Sequence, residues 1–197
     1  MEQGAGIYGY GNFMKGVDTV KMHKGSMIKG HLNKFKSFYS LEMQSRSVIG
    51  SKNVFFGTFH KLSPFKKHEL IRLGEQSNIT SGHLFDLSDE IRIGNNVTFG
   101  GNGSQLWTHG FDLENTKIQA PIVIGNNCYI GTRVLMMPGN SICDHVSVGA
   151  GTIIAKSIKE SGFYVSSNLI KKSDIPSYKH NDGTIVVEGN NFYRKEI

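Results

Sequence analysis

The sequence is poor in proline, cysteine and tryptophan. Its 197 residues include 4 Pro, 2 Cys and 1 Trp, against 24 Gly. Cys128 and Cys143 form neither a CxxC pair nor a Cys/His cluster, so they are predicted to be buried free thiols in a reducing compartment. Many glycines with few prolines indicate frequent tight turns between short strands, because glycine adopts a positive φ at little steric cost.

Long apolar runs are also missing. No run approaches the ~20 residues that span a membrane, and residues 1–19 do not combine the basic and apolar regions of a signal peptide. We therefore expect a cytoplasmic protein without a membrane span. The formal charge of +6 is spread over scattered lysines, which disfavours nucleic acid and suits a polyanionic small molecule.

What the sequence does contain is a six-residue period. Each hexad begins with an apolar residue, its second place is often Gly, and its fifth is mostly small or β-branched. The hexads begin at Ile93, Phe99, Ile118, Ile124, Ile130, Met136, Ile142, Val148 and Ile154. Neither an α-helix nor an isolated strand repeats every six residues. The period predicts an all-β triangular solenoid with three hexads per coil, in preference to a generic all-β sandwich with glycine turns.

The repeat divides the chain into three parts. A weaker coil beginning at Leu73, Ile79 and Phe85 precedes the main run, and Ile49 and Phe55 look like its frayed start. We expect an irregular N-terminal cap over residues 1–48, since a solenoid end needs covering. The β-helix would span 49–172 with an extruded loop over 105–117, and a tail with a terminal hairpin would occupy 173–197.

Residues 122–132, 137–139 and 148–156 resemble the hexapeptide-repeat acyltransferases, including the sugar O-acetyltransferases of bacterial surface polysaccharides. The resemblance covers about residues 73–172. It implies a left-handed parallel β-helix, a homotrimer with active sites between neighbouring subunits, and acetyl-CoA lying along the C-terminal coils. No motif in the chain requires a metal.

In the family the general base is a histidine on a loop between hexads, and His109 is the matching position. An alcohol has a pKa far above neutrality, so its proton must leave as its oxygen attacks the thioester, and an imidazole is suited to accept it. The other ring nitrogen would bind an orienting acceptor, for which Asp112, Glu114, Asp86 and a backbone carbonyl are candidates.

Two further groups of residues are expected to bind the substrates. Trp107 beside the base would either stack on a sugar or anchor the loop, and Asn102 and Gln105 would contact a glycan. The expected CoA contacts are Gly131, Gly149, Ala150, Lys156, Asn168 and Lys171, with the N–H groups of Gly131 and Gly149 as candidate oxyanion donors. The chain departs from the family at Tyr129, where Trp is frequent, and at 167–171, where the family has Gly-Asn-Pro-Ala-Lys.

The expected function is transfer of an acetyl group from acetyl-CoA to a hydroxyl of a sugar or surface polysaccharide. The alternative is an N-acyltransferase on a nucleotide-linked amino sugar, where the same histidine would deprotonate an amine. A γ-class carbonic anhydrase needs three zinc-binding histidines, and His109 and His145 lack the third. A non-catalytic solenoid would not need a loop that carries a histidine.

Overall fold

The hexads fold into coils of three short strands. The computed structural model describes residues 1–58 and 65–165, and beyond them the backbone of three strand segments, 170–173, 184–187 and 192–195. In chain order the strands are β1 Gly6–Ile7, β2 Phe13–Met22, β3 Met27–Ile28, β4 Lys34–Met43, β5 Val48–Ile49, β6 Val54–Phe56, β7 Leu70–Leu73, β8 Asn78–Ile79, β9 Leu84–Asp86, β10 Ile91–Ile93, β11 Thr98–Phe99, β12 Gln105–Leu106, β13 His109–Phe111, β14 Lys117–Gln119, β15 Ile122–Ile124, β16 Tyr129–Ile130, β17 Leu135–Met136, β18 Ser141–Ile142, β19 Val146–Val148, β20 Ile153–Ile154, β21 Gly162–Val165, β22 Ile170–Ser173, β23 Thr184–Val187 and β24 Phe192–Lys195. A 3₁₀ turn spans Lys66–His68.

Parallel pairing between coils builds the three faces of a triangular prism. Face 1 is the sheet β1-β3-β5-β8-β11-β16-β19-β21. Strand β4 turns a corner: its start pairs with β6 and its end with β7. It therefore joins face 2, which continues through β7, β10, β15 and β18, to face 3, which continues through β6, β9, β12, β17 and β20. The predicted left-handed β-helix is confirmed.

One interior residue per face builds the core. Residues in register along face 1 are Ile28, Ile49, Ile79, Phe99, Ile130 and Val148, all buried. On face 3 the rings of Phe35, Phe55 and Phe85 stack at centroid separations of 4.9 and 4.7 Å. Burying such a side chain contributes about 1.5–3 kcal/mol, which is why the first place of each hexad is apolar.

The second place of a hexad is often glycine because the backbone of the next coil passes close to it. A Cβ at Gly94 would lie 2.6 Å from the carbonyl oxygen of Gly125 in the following coil. No side chain fits at that distance without moving backbone. The glycine is therefore required by coil stacking.

The irregular cap expected over residues 1–48 is not observed. Strands β1 to β4 continue the same sheets, and Ile28, Phe35 and Met43 are buried in the core. The sequence hides this repeat because the buried residues lie seven and eight positions apart, from Ile28 to Phe35 and from Phe35 to Met43, instead of six. Lysine also replaces glycine in the second place, at Lys29 and Lys36.

The extruded loop is a β-hairpin that leaves the coil after Leu106. Leu106 is buried in face 3, and β13 then pairs antiparallel with β14, joining His109 to Gln119 and Phe111 to Lys117. The loop therefore does not begin at residue 105. Ile118, expected to start a hexad, is 52% exposed on this hairpin. Its position in the sequence fits the six-residue period, but its side chain does not enter the core.

The C-terminal part of the chain is described only as backbone strands. Strand β22 pairs antiparallel with β21 at the end of face 1. The predicted terminal hairpin is confirmed by the antiparallel pairing of β23 with β24. Within the residues that the structure describes, no helix is long and apolar enough to cross a membrane.

Candidate active site

The hairpin leaves the solenoid at the edge between faces 3 and 2, named here the loop edge. The backbone N–H of Trp107 donates to Met136 in the next coil, and that of Met137 donates to Ile154 in the coil after it. The loop edge therefore runs from Trp107 through Met137 to Ala155. Lys156, the neighbour of Ala155, is exposed on the same edge beyond the hairpin.

Asp86 lies at this edge in the preceding coil and is fully buried. Its Oδ2 accepts hydrogen bonds from His109 Nδ1 at 2.6 Å and from the backbone N–H groups of Thr108 and His109 at 3.0 and 3.1 Å. Its Oδ1 accepts from the hydroxyl of Ser88 at 2.9 Å and the N–H of Ser88 at 3.2 Å. The carboxylate thus accepts from both coils and holds the start of the hairpin against the solenoid.

The contact with Asp86 fixes the tautomer of His109. A carboxylate accepts and does not donate, so the proton of a neutral imidazole lies on Nδ1 and the lone pair on Nε2. The side chain is 20% exposed, and among the described residues no group forms a hydrogen bond with Nε2. The lone pair of Nε2 is therefore not engaged by any described residue, as a general base requires.

Aromatic rings flank the imidazole on two sides. The Trp107 ring lies 6.0 Å from it at 66°, and the Phe111 ring lies 5.7 Å from it at 88°. Phe56, two coils earlier on the loop edge, meets Trp107 edge-on at 6.0 Å. The indole N–H of Trp107 donates to the side-chain oxygen of Gln105 at 3.0 Å, so Gln105 helps to position the Trp107 ring.

Of the three candidates for orienting the ring, only Asp86 contacts it. The Oδ1 of Asp112 accepts from the backbone N–H groups of Glu114 and Thr116 at 2.9 and 2.8 Å, which closes the turn at the hairpin tip. Glu114 is exposed in that turn. Both expectations were wrong because short polar side chains in a turn bond to their own backbone.

Asn102 lies on a different edge from the hairpin. It occupies the turn between faces 1 and 3, where its carbonyl accepts from Thr132 Oγ1 at 2.6 Å and from the Arg133 N–H at 2.9 Å. The fold therefore brings Trp107 and Gln105 to His109 within one chain, but not Asn102. Asn102 and Trp107 lie at successive corners of one coil, so a whole face separates them although they are near in sequence.

The glycines expected to supply oxyanion donors have their N–H groups already engaged. Gly131 donates to Val148 and Gly149 donates to Tyr164, each at 2.8 Å. A Cβ at Gly131 would lie 2.8 Å from the Val148 carbonyl oxygen, so this glycine serves the approach of two coils. The oxyanion expectation is wrong for both.

The remaining expected CoA contacts are placed only in part. Ala150 and Lys156 are exposed on the C-terminal coils. Asn168 and the side chain of Lys171 lie outside the described residues. Across 1–58 and 65–165, no group of three or more His, Cys, Asp or Glu side chains is placed to hold a metal ion.

Away from the loop edge, burial shifts the pKa values of three groups, His83 and the thiols of Cys128 and Cys143. Desolvation lowers the pKa of His83 to about 4, and its Nδ1 accepts from the Ser104 N–H at 3.2 Å. Desolvation raises the pKa of the Cys128 thiol to about 11. Both cysteines are free thiols, Cys128 buried and Cys143 half-buried. These groups are interior components of the coils.

Comparison with known proteins agrees with this geometry. The model of the hexapeptide repeat of succinyl-transferase matches residues 121–156. The galactoside O-acetyltransferase of Escherichia coli K12 is 34% identical over 80 residues, which cover 41% of this chain and 39% of that protein. The matched coils therefore resemble those of the hexapeptide-repeat acyltransferases.

Two further proteins that the chain resembles carry different names. The UDP-3-O-acylglucosamine N-acyltransferase of Janthinobacterium sp. strain Marseille is 26% identical over 105 residues, 52% of this chain and 30% of that protein. A hexapeptide-repeat acetyltransferase of Vibrio cholerae O1 biovar eltor, complexed with acetyl coenzyme A, matches with a TM-score of 0.52 at 21% identity, covering 61% of this chain and 70% of that one. The chain thus spans less than half the length of both sequence relatives.

Several residues of this hexapeptide-repeat site were not singled out in the sequence. Ser88 and Thr108 bind Asp86, Lys117 and Gln119 bind Ser88, and Phe111 borders the imidazole. The pairing register of face 3 would have identified these residues, since Phe85 pairs with Leu106 and thereby places residues 86–88 beside 107–109. Reading that register requires knowing that the coil bearing the loop begins at residue 91.

Proposed function

We propose that the chain is an acetyl-CoA-dependent O-acetyltransferase that acts on a hydroxyl of a sugar or of a bacterial surface polysaccharide. The observation that carries the proposal is the pair formed by buried Asp86 and His109, 2.6 Å apart, on a hairpin extruded from a hexapeptide solenoid. The naming of the Escherichia coli relative as a galactoside O-acetyltransferase supports the hydroxyl acceptor.

The geometry supports the following reaction. Nε2 of His109 takes the proton of the acceptor hydroxyl as that oxygen attacks the thioester carbonyl carbon. Asp86 stabilises the imidazolium through Nδ1–H. The tetrahedral intermediate then collapses, the carbon–sulfur bond breaks, and the imidazolium returns the proton to the departing CoA thiolate. The products are an acetyl ester and free CoA thiol.

The binding of CoA along the C-terminal coils is part of the proposal. Exposed Lys156 lies on the loop edge past the hairpin, where it would pair with a CoA phosphate, and Ala150 lies on another edge of the same coil. Lys171 and Asn168 are proposed to complete the contacts. The acetyl coenzyme A complex of the Vibrio cholerae protein supports this donor.

A homotrimer is the proposed assembly. The outer surface of face 3 carries apolar residues on either side of exposed Gln105: Val54, Leu84 and Leu135 are half-buried and Ile153 is 38% exposed. Such a surface is suited to a neighbouring subunit. The two free thiols support the proposal that the enzyme works in the reducing cytoplasm.

Thiol release from acetyl-CoA tests the activity across saccharides, nucleotide-linked amino sugars and simple alcohols. We expect release with a glycan hydroxyl, and a loss of ~10² or more in turnover for His109→Gln with CoA affinity retained. His31→Gln, on the N-terminal coils, is the matched control. Release confined to amino sugars would support the N-acyltransferase alternative, which the Janthinobacterium relative favours. Equal turnover in His109→Gln would remove His109 from the mechanism.

A further inference from the structure

Ser88 is a buried serine at the centre of the contacts between the coil and the hairpin. It is 3% exposed. Its Oγ–H donates to Asp86 Oδ1 at 2.9 Å, and the same Oγ lies 3.1 Å from His109 Nδ1. Because its proton is directed to Asp86, its lone pairs face the imidazole N–H and the hairpin.

The second strand of the hairpin is attached to the same serine. Lys117 Nζ donates to Ser88 Oγ at 3.2 Å, and the side-chain amide of Gln119 donates to the Ser88 carbonyl. Both residues belong to β14, whereas His109 belongs to β13. Ser88 therefore contacts both strands of the hairpin and the imidazole that the hairpin carries.

We propose that Ser88, with its Lys117 contact, is a positioning residue that holds His109 and Asp86 in their mutual orientation; the inference rests on the proposed function. Oδ2 of Asp86 faces the ring because the hydroxyl and N–H of Ser88 occupy Oδ1. A second acceptor beside Nδ1 limits rotation of the imidazole about its bond to Cβ. The Lys117 ammonium can only donate, so the Ser88 hydroxyl accepts from Nζ and directs its own proton to Asp86.

Other contacts hold the hairpin independently of this serine. The backbone N–H groups of Thr108 and His109 donate to Asp86 Oδ2, and β13 pairs with β14; neither contact includes the Ser88 hydroxyl. Loss of Ser88 Oγ should therefore leave the loop folded and the ring less well oriented. That expectation separates a positioning role from a structural one.

The test compares Ser88→Ala with Ser88→Thr, Lys117→Met and a matched control, Ser77→Ala. Ser77 is 1% exposed on another edge, where its hydroxyl bonds to backbone groups of its own coil and of the next coil. We expect Ser88→Ala to lower kcat about tenfold with the KM for acetyl-CoA unchanged, and Ser88→Thr to restore most of it. Ser77→Ala should show a similar loss of thermal stability with kcat retained.

The double variant Ser88→Ala/Lys117→Met should be no slower than Ser88→Ala alone, because Lys117 acts through the hydroxyl. A readout independent of turnover is the Nδ1–H proton of His109, followed by ¹H NMR: protected from exchange with water in the parent and broadened by faster exchange in Ser88→Ala. Faster exchange in Ser88→Ala without any acetyl transfer by the parent would retain the positioning role while overturning the proposed function. An unchanged Nδ1–H resonance, a kcat equal to that of Ser77→Ala, or additive losses in the double variant would overturn the inference.

Discussion

Two segments at the loop edge differ in how a buried carboxylate is paired. The first excursion is defined here as Thr58 and residues 65–68, and the second excursion is the hairpin that carries His109. Glu69 and Asp86 are both fully buried beside these excursions. Glu69 pairs with the Lys66 ammonium at 3.0 Å and with the hydroxyl of Thr58, whereas Asp86 pairs with an imidazole.

This difference teaches how the same edge can serve structure or chemistry. An ammonium group donates hydrogen bonds and has no lone pair, so the Lys66–Glu69 pair offers no acceptor for a proton on nitrogen. An imidazole bonded through Nδ1–H keeps a lone pair on Nε2. The first excursion is thus fastened by an ion pair, and the second is fastened by a group that can also accept a proton.

The largest expected effect comes from exchanging each carboxylate for its amide. Asp86→Asn presents an N–H to Nδ1 and favours the wrong tautomer, so kcat should fall about 10³-fold. Glu69→Gln removes one charge of an ion pair and should cost roughly 2 kcal/mol of stability with kcat retained. Steady-state thiol release and urea unfolding of both variants measure the two quantities. If both variants lost activity equally, the two excursions would not differ in function.

An intermediate effect is expected from the exposed phenylalanine of each excursion. Phe111 is 63% exposed and meets the imidazole edge-on, while Phe65 in the first excursion is 54% exposed. Phe111→Ala should raise the acceptor KM about fivefold by removing a ring that borders the sugar position, with stability little changed. Phe65→Ala is the control and should leave this KM unchanged. An unchanged KM in both variants would exclude Phe111 from acceptor binding.

The smallest effect concerns a histidine that is buried without a carboxylate. Burial lowers the pKa of His83 to about 4, below the ordinary 6.5 that the unfolded chain would have. The neutral form is favoured on folding, so this stability is complete above pH 6.5 and is lost as pH falls toward 4. Urea unfolding should show a fall of roughly 2 to 3 kcal/mol across that range, beyond the contribution of the carboxylates.

The variant His83→Asn tests whether His83 causes this pH dependence of the free energy of unfolding. Asn33 and Asn53 occupy the same position in the two preceding coils, where their side-chain oxygens accept from the backbone of the next coil, as His83 Nδ1 does. The variant should keep the bond and lose the pH dependence. A pH dependence identical to that of the parent would assign it to other groups.

The central coils were predictable because their pattern is local. From Ile124 to Ile154 the interior residues recur every sixth place, and each is buried. The N-terminal coils were missed because extra residues at the corners interrupt the count, although the same columns of side chains continue through them. Ile118 was misassigned because one exposed isoleucine matched the count by position alone.

In the candidate site, too, one part was predictable from the sequence and another part required the structure. His109 was identified from its place on a loop between hexads, and Asp86 was one of three candidates to orient it. Choosing among those candidates needs the register between coils, since Asp86 is 23 positions from His109 in the chain and 2.6 Å from it in space. Asp112, only three positions away, bonds to its own turn instead.

The sequence alone determined the repeat, its resemblance to the hexapeptide-repeat acyltransferases and the candidate histidine, because hexad pattern, glycine placement and loop position are properties of neighbouring residues. Only the tertiary structure decided which carboxylate binds the imidazole, that the glycine N–H groups are already engaged, and that Ser88 joins both strands of the hairpin to the coil. These contacts form between successive coils, and their partners depend on how many extra residues each corner admits. That number is set by packing around the whole turn.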